Sequence, residues 1–189
     1  MFHLQRMLND YLPPINPVLT GTDEDWIKMS EKSIQLPSDY CEFVKTCGYC
    51  SIGLLIQITN PFVPSKWSNV FDVREELPAI LAEHPFNTPT TVKFKKEIAE
   101  RRLFPCIITT NGDYFFWIAS DLQHPETWQL AYSEVNFTAC DVFCKDIKFV
   151  ELLWGLLKHA IVPLDNDQFS LSPKEHRFEP IPYDMYQNT

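Results

Sequence analysis

The sequence predicts an α+β fold, a mostly antiparallel central sheet flanked by helices, and three stretches predict it. Leu36-Pro37-Ser38-Asp39-Tyr40-Cys41-Glu42-Phe43-Val44-Lys45-Thr46-Cys47-Gly48 specifies a helix together with its start and its stop. Phe104-Pro105-Cys106-Ile107-Ile108-Thr109 and Tyr114-Phe115-Phe116-Trp117-Ile118-Ala119 flank Asn111-Gly112, a pair that tolerates the positive φ angles of a tight hairpin turn. Ile147, Phe149, Val150, Leu153, Trp154 and Leu157 then crowd one closing helix. Helices first, strands in the middle and a helix last is the order of an α+β domain.

In chain order, residues 1–12 read as a short helix with Leu4, Leu8 and Tyr11 on one face, ended by Pro13, Pro14 and Pro17. A second helix starts at Thr22 or Asp23, whose oxygens can cap it. Asp23, Glu24 and Asp25 suit the positive end of its dipole, and Trp26, Ile27, Ser30 and Ile34 are expected to face inward. In the third helix, Pro37 fits the first turn, where its missing N–H costs nothing. Tyr40, Phe43, Val44 and Cys47 fall at i, i+3, i+4 and i+7, and Gly48 stops the helix.

Leu54 to Ile58 is the first expected strand, bounded by Gly53 and Asn60-Pro61. Residues 66–83 read as helical, with Trp67, Val70, Phe71, Leu77 and Leu81 as core candidates and Pro78 expected to split the segment. Lys93 to Arg102 reads as a solvated helix. After the hairpin, Thr127 to Ser133 and Phe137 to Cys144 extend the sheet, and the last helix starts at Asp146. One domain is expected over 1–162, followed by a Pro-containing tail over 163–189, on the surface or disordered.

With 189 residues, 45% of them hydrophobic and 14% aromatic, the chain has enough apolar matter for one substantial core. No apolar run approaches the roughly 20 residues of a membrane helix, and Met1 to Leu12 is too polar for a signal-peptide core, so the cytoplasm is the expected compartment. The six cysteines are then expected as reduced thiols. Cys47 and Cys50 with Cys140 and Cys144 have the pair spacing of a four-thiolate zinc site. Burial explains them without metal and is the preferred reading, since Cys47 lies on a helix's apolar face and Cys140 and Cys144 alternate like strand residues. No histidine spacing adds a ligand, so neither metal nor cofactor is expected.

The net charge is −9, spread unevenly: −3 over residues 1–60, zero over 61–120 and −6 over 121–189. Such a chain repels phosphate backbones and steers a basic protein, so a protein partner is expected rather than nucleic acid or membrane. Glu75, Glu76, Asp121, Glu126, Asp165 and Asp167 are the candidates for an acidic contact surface. Trp67, beside Pro64 and Ser65, reads first as core and second as an exposed anchor. Asp113 reads first as a turn residue and second as a contact. A nucleophile elbow, a phosphate-cradling glycine loop, HExxH and a dinucleotide fingerprint are all missing from the sequence. For an enzyme, Asp39 with Glu42 or Glu75 with Glu76 would have to serve as a carboxylate pair, as in a hydrolase, and their spacing does not favour this over surface charge.

Three pieces together resemble the SUKH superfamily of cell-wall-assembly regulators and bacterial immunity proteins. They are a capped helix with a Trp and Glu31 followed by Ile34-x-Leu36-Pro37-x-x-Tyr40-x-x-Phe43 and Gly48; the hairpin at Asn111-Gly112-Asp113 leading to Trp117 and later Trp128; and Ile147-Lys148-Phe149-Val150-Glu151-Leu152-Leu153. They span most of residues 22–160. Family members usually place a Gly-rich turn directly after the first motif helix, which here is spread over Gly48 to Gly53. The resemblance implies a protein without catalysis or cofactor that binds a partner: in bacteria a cognate toxin, often a nuclease, and among eukaryotic relatives an endogenous client held on a regulatory scaffold.

Overall fold

The computed structural model describes residues 2–11, 13–32, 34–53, 55–82, 96–100, 102–134, 140–143, 147–158, 160–161 and 178–181. Among the described residues, the helices α1 (Phe2–Asp10), α2 (Asp23–Ser30), α3 (Ser38–Cys47), α4 (Val70–Ala82) and α5 (Phe149–Leu157), with a helical turn at 96–99, accompany seven strands. The strands are β1 (Cys50–Ile52), β2 (Ile56–Ile58), β3 (Leu103–Thr109), β4 (Tyr114–Ile118), β5 (Gln129–Ser133), β6 (Cys140–Val142) and β7 (Phe178–Pro180). They form one sheet in the order β6-β5-β4-β3-β2-β1-β7, antiparallel at every step. The α+β architecture read from the sequence is the one observed.

The meander places consecutive strands side by side because each link from β1 to β6 reverses direction, whether by a tight turn or through α4. The β3–β4 turn forms where Asn111-Gly112 predicts it, with Gly112 at φ 88°. Between Pro105 and Ile107 the register shifts by one residue. Proline cannot donate to a ladder, and a bulge beside it is where a sheet interior tolerates one. The carbonyl of Pro105 takes the Thr59 hydroxyl at 2.8 Å, and Thr59 in turn accepts the Tyr40 phenol on its own carbonyl at 2.6 Å. The bulge thus fixes α3 onto the sheet.

Both sheet faces are covered. On one, Phe104, Cys106, Ile107, Phe115, Trp117, Leu130 and Tyr132 meet α1, α3 and α5 in the main core. On the other, Leu103, Phe116 and Ala131 meet Val73 and Leu77 of α4 and Ile98 of the helical turn at 96–99. Edge-on ring contacts of Tyr40 with Trp117 at 4.9 Å and with Phe149 at 5.2 Å lock α3, β4 and α5 together.

Several expectations are corrected. Ile27 is 59% exposed, and α2 buries Met29 instead. With only eight residues, this helix presents a single inward position beside Trp26, whose ring meets Phe62 edge-on at 4.8 Å. Pro78 does not split α4, which runs from Val70 to Ala82. The packing of Val73 and Leu77 against the sheet holds the helix across the missing N–H. Trp67 precedes α4 and is 46% exposed rather than core. Cys50–Ile52, read as part of a loose turn, is a strand. The 163–189 stretch, read as a tail, contributes β7: Phe178 and Ile181 are buried, and Phe178 pairs with Ile52. The Leu81 side chain, residues 83–95, most of 135–146 and the rest of the tail lie outside the described residues.

Candidate functional site

Helices α3 and α5 begin next to each other, and Asp39 is the reason they can. Its Oδ2 accepts the Val150 N–H at 3.1 Å, so a carboxylate from the first turn of one helix caps the first turn of the other. The Lys148 N–H meets the Glu151 carboxylate at 3.2 Å, satisfying a further donor at the start of α5. Burial raises the Asp39 pKa above 3.8, against the lowering influence of the Val150 N–H and of Lys148.

That shift has a definite sign. A carboxyl whose folded pKa lies above its unfolded value is less costly when protonated, so its contribution to stability falls as pH rises from about 3.8 through the raised folded value. The stability of the native chain minus that of Asp39→Asn is therefore expected to decline across that window, because the amide keeps an oxygen for the Val150 N–H and does not titrate. Asp39→Ala should lose about 1 kcal/mol at neutral pH through the missing cap. Urea denaturation from pH 3.5 to 7 checks both, and parallel profiles for the native chain and Asp39→Asn would contradict the assignment.

Between these helix starts and the 3-10 turn Pro125–Thr127 lies a cleft of about 420 Å³. Gln35 to Asp39 form one wall, Pro125 and Glu126 another, and Ile147 with Lys148 a third segment of the lining. Trp117, Trp128 and Phe149, each no more than 3% exposed, make the floor. The Trp128 indole donates to the Asp121 carbonyl and its ring stacks on Phe104 at 4.9 Å, which fixes the turn above it. The Gln35 N–H reaches the Leu122 carbonyl at 3.1 Å and ties the two walls together. A smaller cleft of about 120 Å³ shares Ser38, Asp39 and Lys148 and adds Glu42 and Glu151.

Of the acidic candidates among the described residues, Glu126 lines this cleft; it is exposed and lies 3.1 Å from the His124 ring nitrogen. Asp121 lies in the same loop, where its carboxylate accepts the Gln123 N–H at 2.9 Å. Glu75 and Glu76 sit on α4, across the sheet from the cleft, with Glu75 3.4 Å from Arg74. Trp67 stands on the β2–α4 loop with the Lys66 ammonium over its ring at 4.6 Å. Asp165 and Asp167 lie outside the described residues.

Asp113 is corrected as a contact residue. It is 3% exposed and closes the hairpin, taking the Thr109 hydroxyl on its carboxylate and giving its N–H to the same oxygen, each at 3.0 Å. Asp113→Ala is expected to cost about 1–3 kcal/mol by leaving the buried Thr109 hydroxyl short of its acceptor. Thermal or urea unfolding reads that loss, and a partner titration should not.

Asp39 and Glu42, weighed in the sequence as a carboxylate pair, both line the smaller cleft. Burial pushes the Cys41 and Cys47 thiols up to about 12 and the Cys50 thiol well above its usual range, so at neutral pH these are thiols rather than nucleophilic thiolates. Among the described residues no group of three or more His, Cys, Asp or Glu side chains could hold a metal, and no helix is long and apolar enough to cross a membrane. The Cys144 half of the thiol set lies outside the described residues.

Gln35, Trp117, Trp128 and Lys148 line the cleft without a site role assigned from the sequence, and Asp39 enters there only as half of a carboxylate pair with Glu42. The signal for them was their place in the three resembling stretches, not their chemistry. No family model, curated protein or solved structure matches this chain.

Proposed function

We propose that this chain is a non-catalytic, SUKH-like binding protein of the bacterial cytoplasm that acts as an immunity protein, neutralising a basic toxin by forming a complex with it. One observation carries the reading. The three stretches behind the sequence resemblance are far apart in the chain, yet Leu36 to Asp39, Trp117 with Trp128, and Ile147 to Phe149 line the same cleft. Convergence on a concave surface is what a shared binding function requires of separate motifs. The net charge of −9 supports a basic partner. Neutralisation needs only occlusion of the toxin's active cleft, and hence no cofactor.

Affinity capture of the tagged chain from its native host, followed by mass spectrometry, tests this. The expected result is one stoichiometric basic protein, released by raising salt and encoded beside this chain's gene. A housekeeping client encoded elsewhere would replace the immunity reading with a regulatory scaffold. The absence of any stoichiometric partner would overturn both.

A further inference from the structure

We propose that the cleft receives the side chain of an arginine or lysine presented by the partner protein. This rests on the binding function just proposed and names the chemistry of its contact. The cleft lining carries two carboxyl groups from separate segments, Asp39 on α3 and Glu126 on the Pro125–Thr127 turn, against a single ammonium, Lys148. A cation entering the cleft is attracted by both carboxyl groups. An anion would meet their repulsion, and the start of α5, whose dipole would attract it, already has Asp39 on its Val150 N–H.

The floor sharpens the preference. Trp117, Trp128 and Phe149 are buried rings, which exclude water and strengthen any charge interaction made above them. Long basic side chains also lay an aliphatic stem on apolar walls while their charged head reaches polar groups, and Pro37 and Ile147 provide such walls. Trp117, 2% exposed, presents to the cleft only a thin edge of an otherwise buried ring. The volume of about 420 Å³ has room for one long side chain and its flanking main chain.

The test uses the full chain and N-acetyl-arginine N-methylamide as probe, with the uncharged citrulline analogue as control, followed by NMR of the tryptophan indole N–H signals. Saturable shifts of Trp117 and Trp128 with the arginine compound and none with citrulline are expected. Glu126→Gln, at an exposed position, should weaken binding roughly two- to fivefold, and Lys148→Met should tighten it by a similar factor because it removes a like charge. Equal binding of the citrulline compound, the opposite signs for the two variants, or shifts scattered over the acidic surface would each overturn the proposal. If a captured partner binds with unchanged affinity to Glu126→Gln and the arginine probe does not bind, the binding function stands and the cleft assignment falls. If the probe binds as expected and no partner exists, the reverse holds.

Discussion

Gly48→Ala is expected to cost about 3–5 kcal/mol, enough to unfold much of a marginally stable domain. Gly48 ends α3 at φ 66° and ψ −150°, outside the region that any side-chain-bearing residue occupies comfortably. Space is lacking as well, because a Cβ there would lie 2.1 Å from the Val18 carbonyl oxygen and 2.9 Å from the Val18 nitrogen. Both obstacles are backbone, and the Val18 carbonyl is held in place by the Tyr49 N–H at 2.7 Å. The next link continues outward, with the Ile181 N–H on the Tyr49 carbonyl at 3.2 Å, so relief at Gly48 would disturb the N-terminal loop and the C-terminal strand together. Gly112→Ala is the comparison: at φ 88° in the exposed hairpin turn it should cost about 1 kcal/mol. Urea denaturation of both variants checks the contrast, and a Gly48→Ala loss no larger than that of Gly112→Ala would contradict the close approach of residue 18.

The legible parts of this fold are those whose information is local. Tyr40, Phe43, Val44 and Cys47 repeat with the helical period and are all buried, and Asn111-Gly112 turns the chain by its own backbone preference. β1 and β7 are three residues each, too short for any period to show; β1 becomes a strand by pairing with β2 and β7, and β7 by pairing with β1. Trp67 read as core because tryptophan usually is, whereas its loop leaves it outside the packing of Val70 and Val73 just beyond it. The site was less legible still. Negative charge in the sequence pointed to Glu75, Glu76, Asp121 and Glu126, and the fold divides these between two sides of the sheet. From the sequence, Asp39 reads only as half of a carboxylate pair with Glu42, no better than surface charge. Its partner, Val150, is 111 residues away, and only the packing of α3 on α5 reveals the cap.

Phe149→Ala is the other variant with a large expected effect, and it joins the core to the cleft. The ring lies 5.2 Å from Tyr40, 5.4 Å from Phe43 and 5.9 Å from Trp117, so it is the common neighbour of α3 and β4. Removing it should cost about 3–5 kcal/mol from lost burial and from the cavity left behind. The edge-on contacts that orient Tyr40 would go too, and with them the approach of its phenol to the Thr59 carbonyl. Phe149→Leu retains most of the volume and should cost roughly 1–2 kcal/mol, leaving a folded chain whose cleft floor lacks one ring. The two variants separate stability from binding. Near-ultraviolet circular dichroism reports whether Trp117 and Tyr40 remain ordered, and the arginine-amide titration reports the floor. A folded Phe149→Leu that binds the probe two- to fivefold more weakly, with the Trp117 indole signal still shifting, is the expected pair of results. Unchanged affinity in that variant would mean that charge alone holds the cation and that the aromatic floor serves only the core.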